Sequence, residues 1–464
     1  MTAEKRRIWG WYFFDWASQP YNTLLLTFIF GPYFAKLASA EYMAAGLAEA
    51  EAEAQAQALW GVGLTVAGLS IAILSPILGA IADGSGRRMA WIWAFSAAYV
   101  LGATGLWTLA PDAPALLQAV MFFGIGFLGM EFATTFCNSL LPSLTRDEEI
   151  GAVSGTGFAF GYLGGLVALA FMLLFFAENG DTGRTLIGLK PAFGLDPAAR
   201  EGTRFVGPFT ALWYAVFMIP FFLWVKEPPR APEAAVRARA ALAGLWASIL
   251  GLVNRRSLAA YLGSSMFYRD ALNGLYGFGG VYASGVLGWS ITQIGTFGIL
   301  GGVTAGLASW AGGRADRRFG PKPVIALSIV VLMLVCMIVV GMNRESLFGF
   351  ALAEGSRLPD IVFYVCGALI GAAGGTVQAA SRTLMVRHTT PEHAAQAFGL
   401  FALSGKATSF LAPALIAAVS AATGNQQIGI TPLIGLFLIG LLLLLRVNPD
   451  GERAAWSEPQ PSSR

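Results

Sequence analysis

Apolar runs of about twenty residues, each long enough to cross the hydrocarbon of a bilayer as a helix, recur along almost the whole chain. They fall at 9–36, 59–82, 89–110, 114–140, 151–177, 206–225, 257–285, 289–313, 322–342, 360–386, 394–420 and 430–446. Twelve such spans point to an all-α membrane protein, because backbone groups in lipid must be bonded within helices or a closed barrel. Composition agrees: 56% of residues are hydrophobic and 12% charged, about half the charged share of a soluble domain. The basic stretch through Arg7 leads into a run far longer than a signal core, so it reads as the approach to the first span rather than a cleaved leader. Cys137, Cys336 and Cys366 all lie in apolar runs, which suggests neither a disulfide framework nor a thiolate metal site.

Lys and Arg placement orients the bundle. With the N-terminus inside, 20 of the 30 basic residues fall on the cytoplasmic side, and both termini are expected there, in a plasma (inner) membrane. Lys226 to Arg256 begins with Pro228 and Pro229 and turns Ala-rich and basic. It divides the chain into an N-terminal half (1–225), a cytoplasmic linker or surface helix (226–256), a C-terminal half (257–447) and a tail (448–464). Glu41 to Leu59 alternates Glu, Ala and Gln and should extend span two into external water. Trp9, Trp11, Trp91 and Trp93 are expected at the membrane interface, and His388 and His393 in solvated loops.

The two halves repeat each other. Gly79, Asp83, Arg87 and Arg88 follow span two; Gly312, Asp316, Arg317, Arg318 and Lys322 follow span eight, Asp316 lying 233 residues after Asp83. Asp15 and Tyr21 of span one correspond to Asp270 and Tyr276 of span seven at an offset of 255, and Glu148 to Gly155 corresponds to Glu392 to Gly399 at 244. Three matches in the same order indicate a parallel six-plus-six duplication, an architecture in which one half rocks against the other around a central site.

Twelve spans, two halves and this loop resemble the major facilitator superfamily across nearly the full length. Three segments, Phe14 to Ser18, Gly155 to Gly165 and Ser404 to Pro413, resemble a bacterial subfamily once called the unknown major facilitator family, related to the autophagy-linked vacuolar amino-acid effluxers of fungi. The resemblance implies transport, a cavity lined by spans one, four, seven and ten, and conformational control by the Gly/Asp/Arg loops. Gly157, Gly161 and Gly165 are spaced for tight packing, but no Pro follows Gly161, so the exchange signature of antiporters is only partly present.

Ionisable residues inside a bilayer are costly and need a reason. Six lie within the spans: Asp15, Glu131, Arg269, Asp270, Arg382 and Lys406. Helical periodicity extends them into stripes of Asp15, Ser18, Gln19 and Asn22 on span one, Glu131, Thr134 and Asn138 on span four, Asp270, Asn273 and Gly277 on span seven, and Gln378, Ser381, Arg382 and Met385 on span ten. Three readings apply to the charges: a cytoplasmic gate, proton exchange by one of the acids, or static pairs. Counted from the helix ends, Asp15 and Glu131 lie deep enough to meet Arg269 and Arg382. Ser404-Gly405-Lys406 lacks the remaining residues of a phosphate loop, so ATP binding is rejected. The expected function is secondary transport of a small polar solute, with an amino acid or related zwitterion leading. A proton-coupled exporter of drugs or other metabolites is the first alternative, and a non-transporting receptor or scaffold the second. No enzyme, cofactor, metal or nucleic-acid role is expected; the partners would be the solute, protons and membrane lipids, with the protein a monomer.

Overall fold

A computed structural model describes residues 2–227, 251 and 255–453. The rest of the expected linker and the tail beyond Arg453 lie outside these residues. The helices are α1 (Ala3–Pro20), α2 (Phe30–Ala44), α3 (Glu49–Ser85), α4 (Arg88–Gly105), α5 (Leu116–Asn138), α6 (Ile150–Phe175), α7 (Val206–Phe217), α8 (Ile219–Trp224), α9 (Arg256–Gly285), α10 (Ile291–Phe319), α11 (Pro321–Val340), α12 (Leu358–Arg387), α13 (Ala394–Lys406), α14 (Leu411–Thr423) and α15 (Thr431–Leu445). Eleven helical segments among the described residues are long and apolar enough to cross a membrane. The remaining expected span is α9, whose 30 residues include Arg269, Asp270 and Asn273 and are correspondingly more polar. Glu41 belongs to α2 rather than α3, which begins at Glu49, so spans one and two both extend beyond their apolar runs.

These helices form two compact units: residues 1–71, 89–137 and 160–227, and residues 72–88, 138–159 and 228–464. In the first unit α1 runs through a π-helix, Tyr21–Phe28, into α2. Pro20 starts the irregularity because it has no N–H for the carbonyl of Trp16. Trp213 takes that carbonyl instead, its indole N–H donating at 3.3 Å, and the helix resumes after an i to i−5 bond from Ile29 to Leu24. Trp11 donates to the Cys137 carbonyl (3.0 Å) and Tyr21 to that of Phe123 (2.6 Å), which lays α1 antiparallel to α5. Trp11 is therefore fully buried rather than interfacial, while Trp9 and Trp93 are exposed. Gly161 and Gly164 of α6 meet α1 directly: a Cβ on Gly164 would stand 2.7 Å from the Trp16 carbonyl oxygen.

The loop after α6 carries its own polar core. Glu178, 5% exposed, accepts from the Thr203 amide (3.1 Å) and hydroxyl (2.8 Å) and pairs with Arg200 (3.1 Å). Outward-facing apolar side chains such as Val66, Leu117, Leu212 and, in the second unit, Ile73, Leu307 and Leu327 are exposed, as a lipid-facing surface requires. A two-stranded hairpin, Ser346–Leu347 with Phe350–Ala351, closes the loop between α11 and α12. Glu178→Ala should leave these buried donors unmatched and destabilise the protein by about 1–3 kcal/mol, read as a lower midpoint in a thermal-unfolding assay of the purified protein.

Candidate functional site

Both Gly/Asp/Arg loops lie in the second unit, and each sets its Asp against the first turn of a helix remote in sequence. At the end of α3, Asp83 accepts from the backbone amides of Ala395 (3.2 Å) and Gln396 (2.7 Å) of α13. Those amides are otherwise unsatisfied and carry the positive end of the helix dipole. Arg88 completes the carboxylate from Nε (3.0 Å) and Nη2 (2.5 Å) and reaches the carbonyls of Ser139 (3.2 Å) and Pro391. Contact is this close because Gly79 has no side chain: a Cβ there would lie 2.3 Å from the Ala395 carbonyl oxygen.

The second copy repeats the packing but not the bonding. Asp316, on α10, occupies the space that a Cβ on Gly151 of α6 would need, 2.7 Å from its Cγ. Neither carboxylate oxygen accepts a hydrogen bond among the described residues. Gly312 lies against the Thr376 side chain, and Gly313 lies against Gly155. Arg317 pairs with Glu149 at the surface (3.1 Å), Lys322 donates to the carbonyls of Leu445 (3.1 Å) and Val447 (2.7 Å), and Arg87 is exposed.

Beside this loop, Arg382 of α12 is 2% exposed and tied to two elements of the first repeat. Its Nε donates to the Ser154 hydroxyl (2.9 Å), Nη2 to the Ser154 carbonyl (2.8 Å) and Nη1 to Asn138 Oδ1 (3.0 Å), with the guanidinium over Phe158. Ser154, which in turn donates to the Ala379 carbonyl (2.8 Å), carried no sequence signal: an isolated Ser among glycines has neither charge nor period. Tyr268 bonds the Ser381 hydroxyl (2.7 Å).

A second cluster surrounds an interruption of span eleven at residues 407–410, between α13 and α14. Asp270, 1% exposed, accepts from the Ala412 amide (3.1 Å) at the start of α14, and its second oxygen has no partner among the described residues. The neighbouring Arg269 turns to the other half-helix, donating to the Phe401 carbonyl (2.8 Å) and lying over the Phe401 ring, where Gly405 leaves room for it. Lys406 ends α13, half-buried, where the helix dipole favours a cation. Asn273 is exposed, and Gln378 is half-buried, bonding back to the Gly374 carbonyl (3.2 Å).

The stripe on span one and Glu131 belong to the first unit. Asp15, Gln19, Asn22 and Glu131 are half-buried and Ser18 buried. Asn22 lies 3.8 Å from the sulfur of Met130, so the stripe adjoins Glu131's turn of α5. Gly161 backs Asp15 and Gly165 backs Gln19. A groove of about 560 Å³ on this unit, lined by Leu101, Trp107, Phe122 and Phe205 among others, contains none of the candidate residues.

Histidine differs from expectation. His388 is fully buried, stacked on Tyr261, and bonded to the Leu384 carbonyl and the Ser257 hydroxyl (2.9 Å each). The chain after α15 folds over it: Asn448 donates to the Ser257 hydroxyl (2.7 Å), Glu452 accepts from the amides of Ser257 and Leu258 at the start of α9, and Arg453 pairs with Asp147. These contacts come from far along the chain, which is why a loop position looked solvated. His393 is half-buried beside Thr390. Among the described residues no group of three His, Cys, Asp or Glu could hold a metal ion.

Burial lowers the His388 pKa below its ordinary 6.5, so the imidazole is held neutral. The unfolded chain then binds more protons between that lowered value and 6.5, and the clasp's contribution, complete above 6.5, is lost as pH falls. Acidifying from about pH 7.5 to about pH 5.5 should lower the protection of the amides of residues 446–453, taken relative to their intrinsic exchange rate at each pH, and His388→Gln should flatten that dependence.

Residues 3–455 match a family model described as "Vacuole effluxer Atg22 like". The chain is 26% identical over 449 residues to an uncharacterized MFS-type transporter, YxiO, of Bacillus subtilis, covering 95% of this chain and 94% of that protein. It is 25% identical over 320 residues to autophagy-related protein 22 of Cryptococcus neoformans, covering 66% of this chain and 52% of that relative. The chain thus spans about half the length of this fungal relative. Among solved structures, the human organic anion transporter MFSD10 superposes with a TM-score of 0.67 at 16% identity, over 96% of this chain and 100% of that one. FucP in the outward conformation gives 0.66, again at 16% identity, over 96% and 100%.

Proposed function

Because the chain belongs to the Atg22-like vacuole effluxer family and has the fold of major facilitator transporters, we propose that it is a secondary carrier moving a small polar solute, an amino acid or related zwitterion, by alternating access. The observation that carries this reading is the junction in the second unit. Residues 72–88 and 138–159 of the first repeat meet α12 and α13 of the second through a buried but wholly polar set of bonds, Asp83 to α13 and Arg382 to Ser154 and Asn138. Charge-assisted bonds between glycine-smoothed surfaces exchange for water when the surfaces part, as a gate must, whereas an interlocked apolar core would resist opening.

In this reading the junction closes the cytoplasmic side, and Gly79, Asp83, Arg88, Gly312, Asp316 and Arg317 govern its movement. The half-buried Asp15, Gln19, Asn22 and Glu131, with Arg269, Asp270 and Lys406 around the break in span eleven, supply the acids and bases that a zwitterion and a coupled proton need. Interrupted helices are favoured places for such sites because each half-helix end exposes unpaired backbone groups and a dipole. The halves would be 1–225 and 257–447, with both termini cytoplasmic and the protein in the plasma membrane. The description of the family supports effluxer chemistry, and the positive-inside bias supports this orientation.

Counterflow in proteoliposomes against a panel of amino acids, with and without a pH gradient, tests the assignment; absence of saturable flux for every member sinks it. Arg382→Lys, which keeps the charge but loses the planar fork, should lower flux about tenfold or more, the effect of losing ~1.4 kcal/mol, while the purified variant elutes as a folded protein.

A further inference from the structure

We infer that Asp316 is a proton-binding site, and that packing the second Gly/Asp/Arg loop onto α6 takes up one proton from the water on that side. The inference rests on the carrier reading for its role in a cycle and on the asymmetry between the two copies for its chemistry. Asp83 and Asp316 hold corresponding positions, are 4% and 1% exposed, and each abuts the first turn of a helix. Asp83 is matched there by two amides and a guanidinium. No hydrogen bond within normal distance reaches either buried oxygen of Asp316 among the described residues, and the groups nearest in effect are the neutral Thr383 hydroxyl and the more distant charge of Arg387.

Sequence accounts for the difference. Five residues after Asp83 stands Arg88, and five after Asp316 stands Pro321, so the second copy lacks the folding-back cation of the first. No other charged or titratable group around Asp316 makes an ion pair with it among the described residues, and only Arg387 acts on it through its charge. On its own helix Arg317 pairs with Glu149, and Arg318 is exposed over the Phe319 ring. Lys322 is spent on the carbonyls at the end of α15. On α6 the first turn offers Gly151, with Glu149 before it. On α12 the adjacent Thr383 hydroxyl donates to the Ala379 carbonyl (3.3 Å), Arg382 to Ser154 and Asn138, and Arg387 to the Pro449 carbonyl (2.9 Å). Asp147 is held by Arg453.

A carboxylate enclosed without a counter-ion is costly, and a carboxyl avoids that cost by taking a proton. Gly151 shows that the enclosure is built: any side chain there would displace the carboxyl. Ser309, two turns earlier on the same helix, is also buried with its hydroxyl unmatched among the described residues, so this face of α10 buries a second polar group. The balance is simple: a proton from the aqueous side forms the O–H bond as the surfaces meet, and leaves as carboxylate and hydrated proton when they part. In the first copy the same closure moves no proton, because the charge is already compensated.

Infrared spectroscopy of the full chain in lipid at neutral pH reads the site directly. Asp316→Asn should remove one protonated-carboxyl stretching band that Asp83→Asn leaves in place. Pro321→Arg, which restores the cation of the first copy without touching Asp316, should remove the same band. Amide exchange over residues 150–159, corrected for its intrinsic pH dependence, should become faster as pH rises in the native chain, by at most about tenfold per pH unit for one linked proton. It should stay slow at every pH in Asp316→Asn. The histidine clasp responds in the opposite direction, loosening with acid, and a His388→Gln background isolates the Asp316 response. A band that persists in Asp316→Asn, or an unchanged pH response in that variant, overturns the inference whether or not solute flux is found. Loss of the band without flux for any solute would retain the proton site and remove the carrier reading.

Discussion

Much of the second unit depends on one contact, the carboxylate of Asp83 lying against the first amides of α13. A helix start leaves N–H groups without partners, and in a protein read as membrane-spanning those groups need an acceptor that is not water. Asp83 supplies it, Arg88 adds its guanidinium to the same carboxylate, and the glycines at 79 and 399 bring the two helix surfaces close enough for the bonds to be short. Arg382, Asn138 and Ser154 then add a second set of bonds on the neighbouring surface. Such a joint is strong when dry and weak when wetted, which distinguishes it from the aromatic packing of Trp16, Phe160 and Trp213 in the first unit.

The spans were legible in the sequence because the bilayer imposes length and apolarity together, and even the more polar α9 was read as one of the twelve apolar runs. The duplicated loop was legible as a pair, and it lies where two helices of one repeat meet elements of the other. Where each Asp would find its partner was not legible. The amides of Ala395 and Gln396 lie more than 300 residues from Asp83, and backbone donors leave no mark in a sequence.

Other features escaped for separate reasons. The π-helix after Pro20 needed the knowledge that Trp213 would claim the freed carbonyl. The interruption at 407–410 does carry a signal, Pro413 in the first turn of α14, which has no N–H for the Ser409 carbonyl, but a proline near the middle of an apolar run does not say whether the helix kinks or breaks. Arg382 is buried, and the bonds described for it include a serine and an asparagine, neutral groups that charge pairing does not anticipate.

The cap on α9 has a consequence for how the molecule is made. Its first amides, at Ser257 and Leu258, are closed by Glu452, 195 and 194 residues further along, and the Ser257 hydroxyl is shared with His388 and the Asn448 amide. The leading helix of the second repeat thus waits for a segment synthesised much later. Assembly of that repeat at this end is therefore completed only once the segment after α15 has been made, and until then the chain presents an uncapped helix start to whatever machinery is handling it.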